Sequence, residues 1–161
     1  MKEIKILCIS AVAIALYAAV MFFTQTFAFG AYQIRIATGL YSLSYFFPFL
    51  VVPLGLANSV SNILLGGLGI LDIIGGALVG FITSGGVYFV RKFRLNDLLV
   101  IPVIILGPGL IVPVWLSYIL GLPYYMLAVS LCIGQILPAA TGYLLVKIFA
   151  KIKLEKLFNI Y

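Results

Sequence analysis

Long stretches without any charge are what most constrain this chain. Residues 6–34, 36–71, 73–90 and 98–146 carry no Asp, Glu, Lys or Arg. A helix crosses the apolar core of a bilayer in about 20 residues. Stretches of this length, in a chain that is 65% hydrophobic and only 9% charged, exceed what a soluble domain could hide. The fold class is therefore an all-α integral membrane protein, a single transmembrane domain over residues 1–161.

The spans follow from the punctuation. Lys2 and Lys5 precede an apolar run over residues 6–23, longer than the core of an ordinary signal peptide, so it reads as a retained span near 5–24. A loop over 25–34 follows. The third stretch holds one helix near 72–90. The last holds two, near 98–119 and 124–147, separated by Gly121-Leu122-Pro123. The second stretch, 36–71, is too long for one span and slightly short for two. Pro48 and Pro53 near its middle mark a turn, giving two short or irregular helices at 38–49 and 53–65. That makes six crossings.

Charge supports the even number. Six crossings put Lys2, Lys5, the Arg91-Lys92-Phe93-Arg94 loop and the tail with Lys147, Lys151, Lys153 and Lys156 on one side; five would split them. Lys and Arg collect on the cytoplasmic side, so both termini are expected inside the cell, in the plasma membrane. Nine of the ten cations then share that side, and Arg35 is left alone on the other. The net charge of +6 thus orients spans and does not imply nucleic acid.

Arg35 is the leading candidate for a ligand contact. Its guanidinium is a rigid fork of donors suited to a planar, acceptor-rich molecule, although an Arg that anchors a helix end in head groups would look the same. Gln33 stands two residues away, and in an extended loop the two side chains share one face. Asp72 opens the helical run at 73–90, where it serves either as an N-cap or as an acceptor for ligand N–H groups. Asn58 and Asn62, four apart, share a helix face with Ser59 and Ser61 close by, and either bridge helices or line a cavity. Thr38 and Gln135 are similar cases. Trp115 offers a ring for stacking, or simply belongs with Tyr124 and Tyr125 to the aromatic belt at the interface. Ala11, Ala15 and Ala19 form an A-x-x-x-A-x-x-x-A stripe that lets another helix approach, within this chain or in a partner. Gly76 and Gly80 read as packing within the chain.

Much is absent. The chain has no His, and Cys8 and Cys132 both fall in apolar stretches, which disfavours a metal cluster, a Cys/His nucleophile or a disulfide framework. No phosphate-binding loop, Ser/His/Asp set or paired carboxylates occur, so an enzyme, a lipid-modifying one for instance, would rest on Asp72 alone. A membrane assembly protein that binds no ligand stays open beside a transport role.

Local sequence then adds a family. The segment Phe29-Gly30-Ala31-Tyr32-Gln33-Ile34-Arg35-Ile36 resembles the Tyr-Gly-x-x-Gln-x-Arg-x segment of the QueT family, Phe46-Phe47-Pro48 resembles its Leu-x-Pro segment, and the Gly-rich run ending in Asp72-Ile73-Ile74-Gly75 resembles its Gly-x-x-Asp-x-x-x-Gly segment. Size, six-helix layout and the alanine stripe also resemble the substrate-binding S components of energy-coupling factor (ECF) transporters. That resemblance implies an S-component bundle that captures a queuosine precursor, a related 7-deazaguanine, or another vitamin or nucleobase. It implies contact of Ala11, Ala15 and Ala19 with a T component, and ATP hydrolysis only in two cytoplasmic partner ATPases, with no cofactor in this chain. Gln33, Arg35, Thr38, Asn58, Asn62, Asp72, Trp115 and Gln135 would form the substrate site. Thr38 and Gln135 depart from the family pattern, which carries acids there.

Overall fold

The computed structural model describes residues 2–30, 32–65 and 67–152. Ala31, Gly66, Lys153 and Lys156, used in the reading above, lie outside the described residues. The elements are α1 (Lys2–Ala28), a 3₁₀ helix (Ile36–Tyr45), a 3₁₀ turn (Pro48–Leu50) leading into α2 (Val51–Leu65), α3 (Ile70–Lys92), a 3₁₀ turn (Asp97–Leu99) leading into α4 (Val100–Leu120), α5 (Tyr124–Gly134) and α6 (Ile136–Lys151). Among the described residues, five stretches are long and apolar enough to cross a membrane: Glu3–Ala28, Pro48–Leu65, Ile70–Lys92, Asp97–Leu120 and Tyr124–Lys151.

The helix expected at 38–49 is replaced by the 3₁₀ helix. Ten residues at about 2.0 Å each extend roughly 20 Å. Two observations show that this short element still runs the depth of the bundle. Thr38 meets Gln135 at its start, and Phe46, just past its end, packs on Phe149. It therefore runs parallel to α6 and antiparallel to α1, whose Tyr17 stacks on Tyr41 while Phe29 lies over Arg35. Counted with the five spans, it is the sixth traverse. The start of α1, the α3–α4 connection and the end of α6 consequently share one end of the bundle, where Lys147 bonds Asp97 at 2.7 Å.

Composition explains the tight helix. The Thr38 and Ser44 hydroxyls each lie within 2.8 Å of the carbonyl three residues earlier, Arg35 and Tyr41 respectively, which rewards three-residue turns. Gly39 faces Thr141 and the Pro138 carbonyl so closely that a Cβ would overlap both, so the thin helix lies flush on α6. Residues three apart eclipse one another in a 3₁₀ helix. Arg35, Thr38, Tyr41 and Ser44 thus form one polar ridge facing inward, with the last three buried along its length.

The last span also differs from the single helix expected at 124–147. It breaks at Gln135, between α5 and α6. Pro138 has no N–H to return to the Gly134 carbonyl, and a proline in this position bends a helix. Elsewhere the boundaries extend past the expected ones: α1 reaches Ala28, which shortens the first loop, and α3 begins at Ile70. Asp72 is accordingly inside the first turn of α3, and the N-cap is Gly69.

Packing of α2 on α3 is built on glycine. Gly80 contacts Gly55, Gly76 lies under Asn58 and Asn62, and Gly75 lies under the Trp115 ring. The Gly76/Gly80 pair is used inside the chain, as expected. Tyr17, Met21, Tyr41, Leu50, Leu54 and Ile104 fill the centre.

Candidate functional site

The eight predicted substrate-site residues fall in one contiguous run of mostly buried polar groups. Gln135, at the break in the last span, donates from Nε2 to the Gln33 carbonyl (3.2 Å) and accepts from the Thr38 hydroxyl (2.7 Å). Thr38 also contacts the Arg35 carbonyl. Arg35 Nη1 donates to Asn58 Oδ1 at 3.0 Å, and Asn58 Nδ2 donates to Tyr41 Oη at 2.9 Å. Across Gly76, Asn62 Nδ2 donates to the Asp72 carbonyl at 2.9 Å. The Asp72 carboxylate accepts from Trp115 Nε1 at 3.1 Å and from the Leu68 backbone N–H at 3.2 Å.

Two atoms in this run are buried without a partner: Arg35 Nε and Asn62 Oδ1. Arg35 is 6% exposed and Asn62 1%. A buried polar group left unpaired costs about 1–3 kcal/mol, more when charged, and an ionisable group at membrane depth is costlier still. Nor does Arg35 pair with Asp72: among the described residues the ion pair is Lys147–Asp97. The site thus holds one cation and one carboxylate, each bonded only to neutral groups, with a free donor beside the first and a free acceptor next to the second.

An apolar cleft of about 360 Å³ opens at the same end of the bundle, lined by Phe29, Gln33, Leu68, Leu116, Met126 and Leu131 among others. Phe29 also carries the Arg35 guanidinium over its ring, 5.1 Å from the centroid. Leu68 is the residue whose N–H Asp72 holds. The cleft and the polar run therefore share walls. Only Gln33 of the eight residues lines the cleft directly.

Several expectations change. The loop is not extended at Gln33: its φ is 44°, a left-handed conformation that side-chain-bearing residues adopt at a cost. Gln33 lines the cleft while the Arg35 side chain turns to Asn58, so the two do not work as neighbours on one face. Asp72 is no N-cap; its carboxylate reaches back over the first turn to Leu68. Trp115 does not stand free for stacking. Its ring lies on Gly75 and its N–H is committed to Asp72. Asn58 and Asn62 bridge helices and still leave one acceptor free. Ala11, Ala15 and Ala19 are exposed, on the side of α1 away from Tyr17.

The model of the QueT transporter family matches residues 7–151. The chain belongs to the QueT transporter family. It is thus a multi-pass membrane protein of a transporter family, not of an enzyme family. Curated proteins and solved structures give no match. Of the three QueT-like segments, the one containing Arg35 and the one containing Asp72 meet at the cleft, through Phe29 and Leu68. The third, with Phe46, lies at the opposite end beneath Arg91.

Sequence reasoning missed Tyr17 and Tyr41. Both are fully buried, with hydroxyls 3.2 Å apart, and Tyr41 carries Asn58. Phe29 and Gly134 were missed as well. A Cβ on Gly134 would overlap the Tyr32 carbonyl, so this glycine is where the loop rests on the last span. A signal for Tyr41 existed in the three-residue spacing of Arg35, Thr38, Tyr41 and Ser44.

Proposed function

We propose that this protein is the substrate-binding S component of an ECF-type importer in the plasma membrane. It would capture a small planar base, a queuosine precursor or a related 7-deazaguanine, from outside the cell. The observation that carries this reading is the free Arg35 Nε–H and the free Asn62 Oδ1, buried beside an apolar cleft. A purine-like base brings what they lack: a carbonyl or ring nitrogen for Arg35 and an N–H for Asn62, with apolar faces for the leucines. A site built on such complementarity rejects analogues that would strand its polar groups.

The chemistry favours a neutral base over an aminomethyl cation. Thr38 and Gln135, standing where the family carries acids, bond each other and are neutral. Asp72, the one carboxylate, already accepts two N–H groups. Topology fits capture from outside. Lys5, Arg91, Lys92, Arg94, Lys147 and Lys151 belong to the end of the bundle opposite Arg35, and the basic end faces the cytoplasm by the positive-inside rule. On this reading both termini are cytoplasmic. The exposed Ala11, Ala15 and Ala19 would meet the T component, and two cytoplasmic ATPases would supply the energy.

The test is a thermal-shift screen of the purified chain against 7-deazaguanines, other nucleobases and common vitamins. A saturable shift with 7-deazaguanine or its neutral derivatives is expected. No shift with any of these compounds would sink the reading and favour a membrane assembly protein.

A further inference from the structure

We propose that Tyr41 is the positioning residue of this site: it fixes the Asn58 amide, and through it the Arg35 guanidinium, so that Arg35 presents its free Nε–H edge to the ligand. The inference rests on the reading of Arg35 as a ligand contact.

Hydrogen-bond chemistry sets the direction of the chain. A guanidinium only donates, so the Asn58 atom 3.0 Å from Arg35 Nη1 must be Oδ1. The amide nitrogen is then forced toward Tyr41 Oη, 2.9 Å away, which must accept. Asn58 and Tyr41 are both buried, so water does not replace the phenol oxygen. Tyr41 is itself held from behind. Its ring stacks on Tyr17 with centroids 5.8 Å apart and planes 24° apart, and the two hydroxyls meet at 3.2 Å. The 3₁₀ geometry makes the arrangement possible. At three residues per turn, Tyr41 lies two turns directly below Arg35, with Thr38 between; an α-helix would rotate it about 120° away. With Nη1 held by Asn58 and one face covered by Phe29, the Nε edge is left to the ligand.

Tyr41→Phe keeps the stacked ring and removes only the acceptor. Asn58 Nδ2 then has no partner, and the amide is free to swing away from Arg35. The first measurement needs no ligand: the side-chain ¹⁵N–¹H spectrum of the full-length chain in detergent. It contains three arginines, and the Arg35 signals are those lost in Arg35→Lys. In the wild type, Arg35 should show separate, slowly exchanging Nη signals. In Tyr41→Phe these should merge, while those of Arg91 and Arg94 stay put. Unchanged Arg35 signals in Tyr41→Phe overturn the proposal.

The second measurement uses 7-deazaguanine as probe. Kd should rise about tenfold in Tyr41→Phe, the factor of one hydrogen bond of ordinary strength. In the Asn58→Ala background the same change should cost less than twofold. Equal losses in both backgrounds mean that Tyr41 acts only on the fold, and overturn it. If the wild type binds no 7-deazaguanine, the ligand reading fails, and the spectrum alone decides the role of Tyr41.

Discussion

Arginines stand at both ends of this bundle in opposite surroundings. Arg91 lies over the Tyr45 and Phe46 rings, 5.1 and 5.4 Å from their centroids, and Lys92 and Lys147 lie on Tyr88 and Tyr143 in the same manner. These cations are partly or fully exposed, and their charged groups lie over aromatic rings. Arg35 also has a ring, Phe29, but it is buried, holds an amide and keeps an unpaired N–H. On the proposed reading, one residue type serves orientation at one end and recognition at the other. What separates the roles is burial with incomplete pairing, not the presence of a charge.

The sharpest way to break this comparison is to truncate both arginines. Arg35→Ala should weaken 7-deazaguanine binding by ~100-fold or more, since a hydrogen bond from a charged donor is worth about 1.5–3 kcal/mol and a cation–ligand contact disappears with it. The variant should still fold, because the guanidinium hydrogen-bonds a single side chain, Asn58. Arg91→Ala should leave Kd within about twofold. Calorimetric titration of both reads the difference, and equal losses would erase the distinction between the two ends.

Glycines offer the next contrast. Gly134→Ala places a methyl on the Tyr32 carbonyl, a backbone atom that cannot swing aside. The loop carrying Gln33 and Arg35 must lift, at a cost of about 1–3 kcal/mol typical of overpacking. We expect binding weakened by about tenfold or more, chiefly through faster release, and a lower unfolding temperature. Gly85→Ala, toward the Arg91 end of α3, meets only Val51 at 3.9 Å and should leave binding unchanged while raising the unfolding temperature slightly, as Gly→Ala does inside a helix. A Gly134→Ala protein that binds normally would show that the loop does not use this seat.

Legibility in the sequence follows the same division. Charges placed the spans and singled out Arg35, because a charge in hydrocarbon is costly and therefore rare. The Gln33-x-Arg35 and Asp72 segments gave the family. The 3₁₀ helix was not readable as such. Its turns depend on Gly39 lying against α6 and on Ser and Thr hydroxyls reaching back three residues, which are tertiary and local choices that a count of apolar residues ignores. The break at Gln135 was announced by Pro138 but hidden in a long apolar run. Tyr17 and Tyr41 left little trace, since a tyrosine in a membrane helix looks like any aromatic until its hydroxyl finds a partner.

Two carboxylates, Asp72 and Asp97, give the smallest and most diagnostic contrast. Asp72 accepts one N–H on each oxygen, from Trp115 and from Leu68, whereas Asp97 is bonded to the exposed Lys147 at the other end. Asp72→Asn keeps the shape but turns one acceptor into a donor, so an NH₂ group must face an N–H. One of the two bonds is lost, for about 1–3 kcal/mol. Trp115 is the chain's only tryptophan, so its emission reports this site alone. Asp72→Asn should shift that emission and weaken binding about fivefold. Asp97→Asn should move neither the emission nor Kd, and should leave the unfolding temperature unchanged within error. If Asp72→Asn shifts the emission but leaves Kd intact, Asp72 anchors Trp115 and does not touch the ligand. Recognition would then rest on Arg35 and Asn62, and a cationic ligand would have no carboxylate to meet at this end of the bundle.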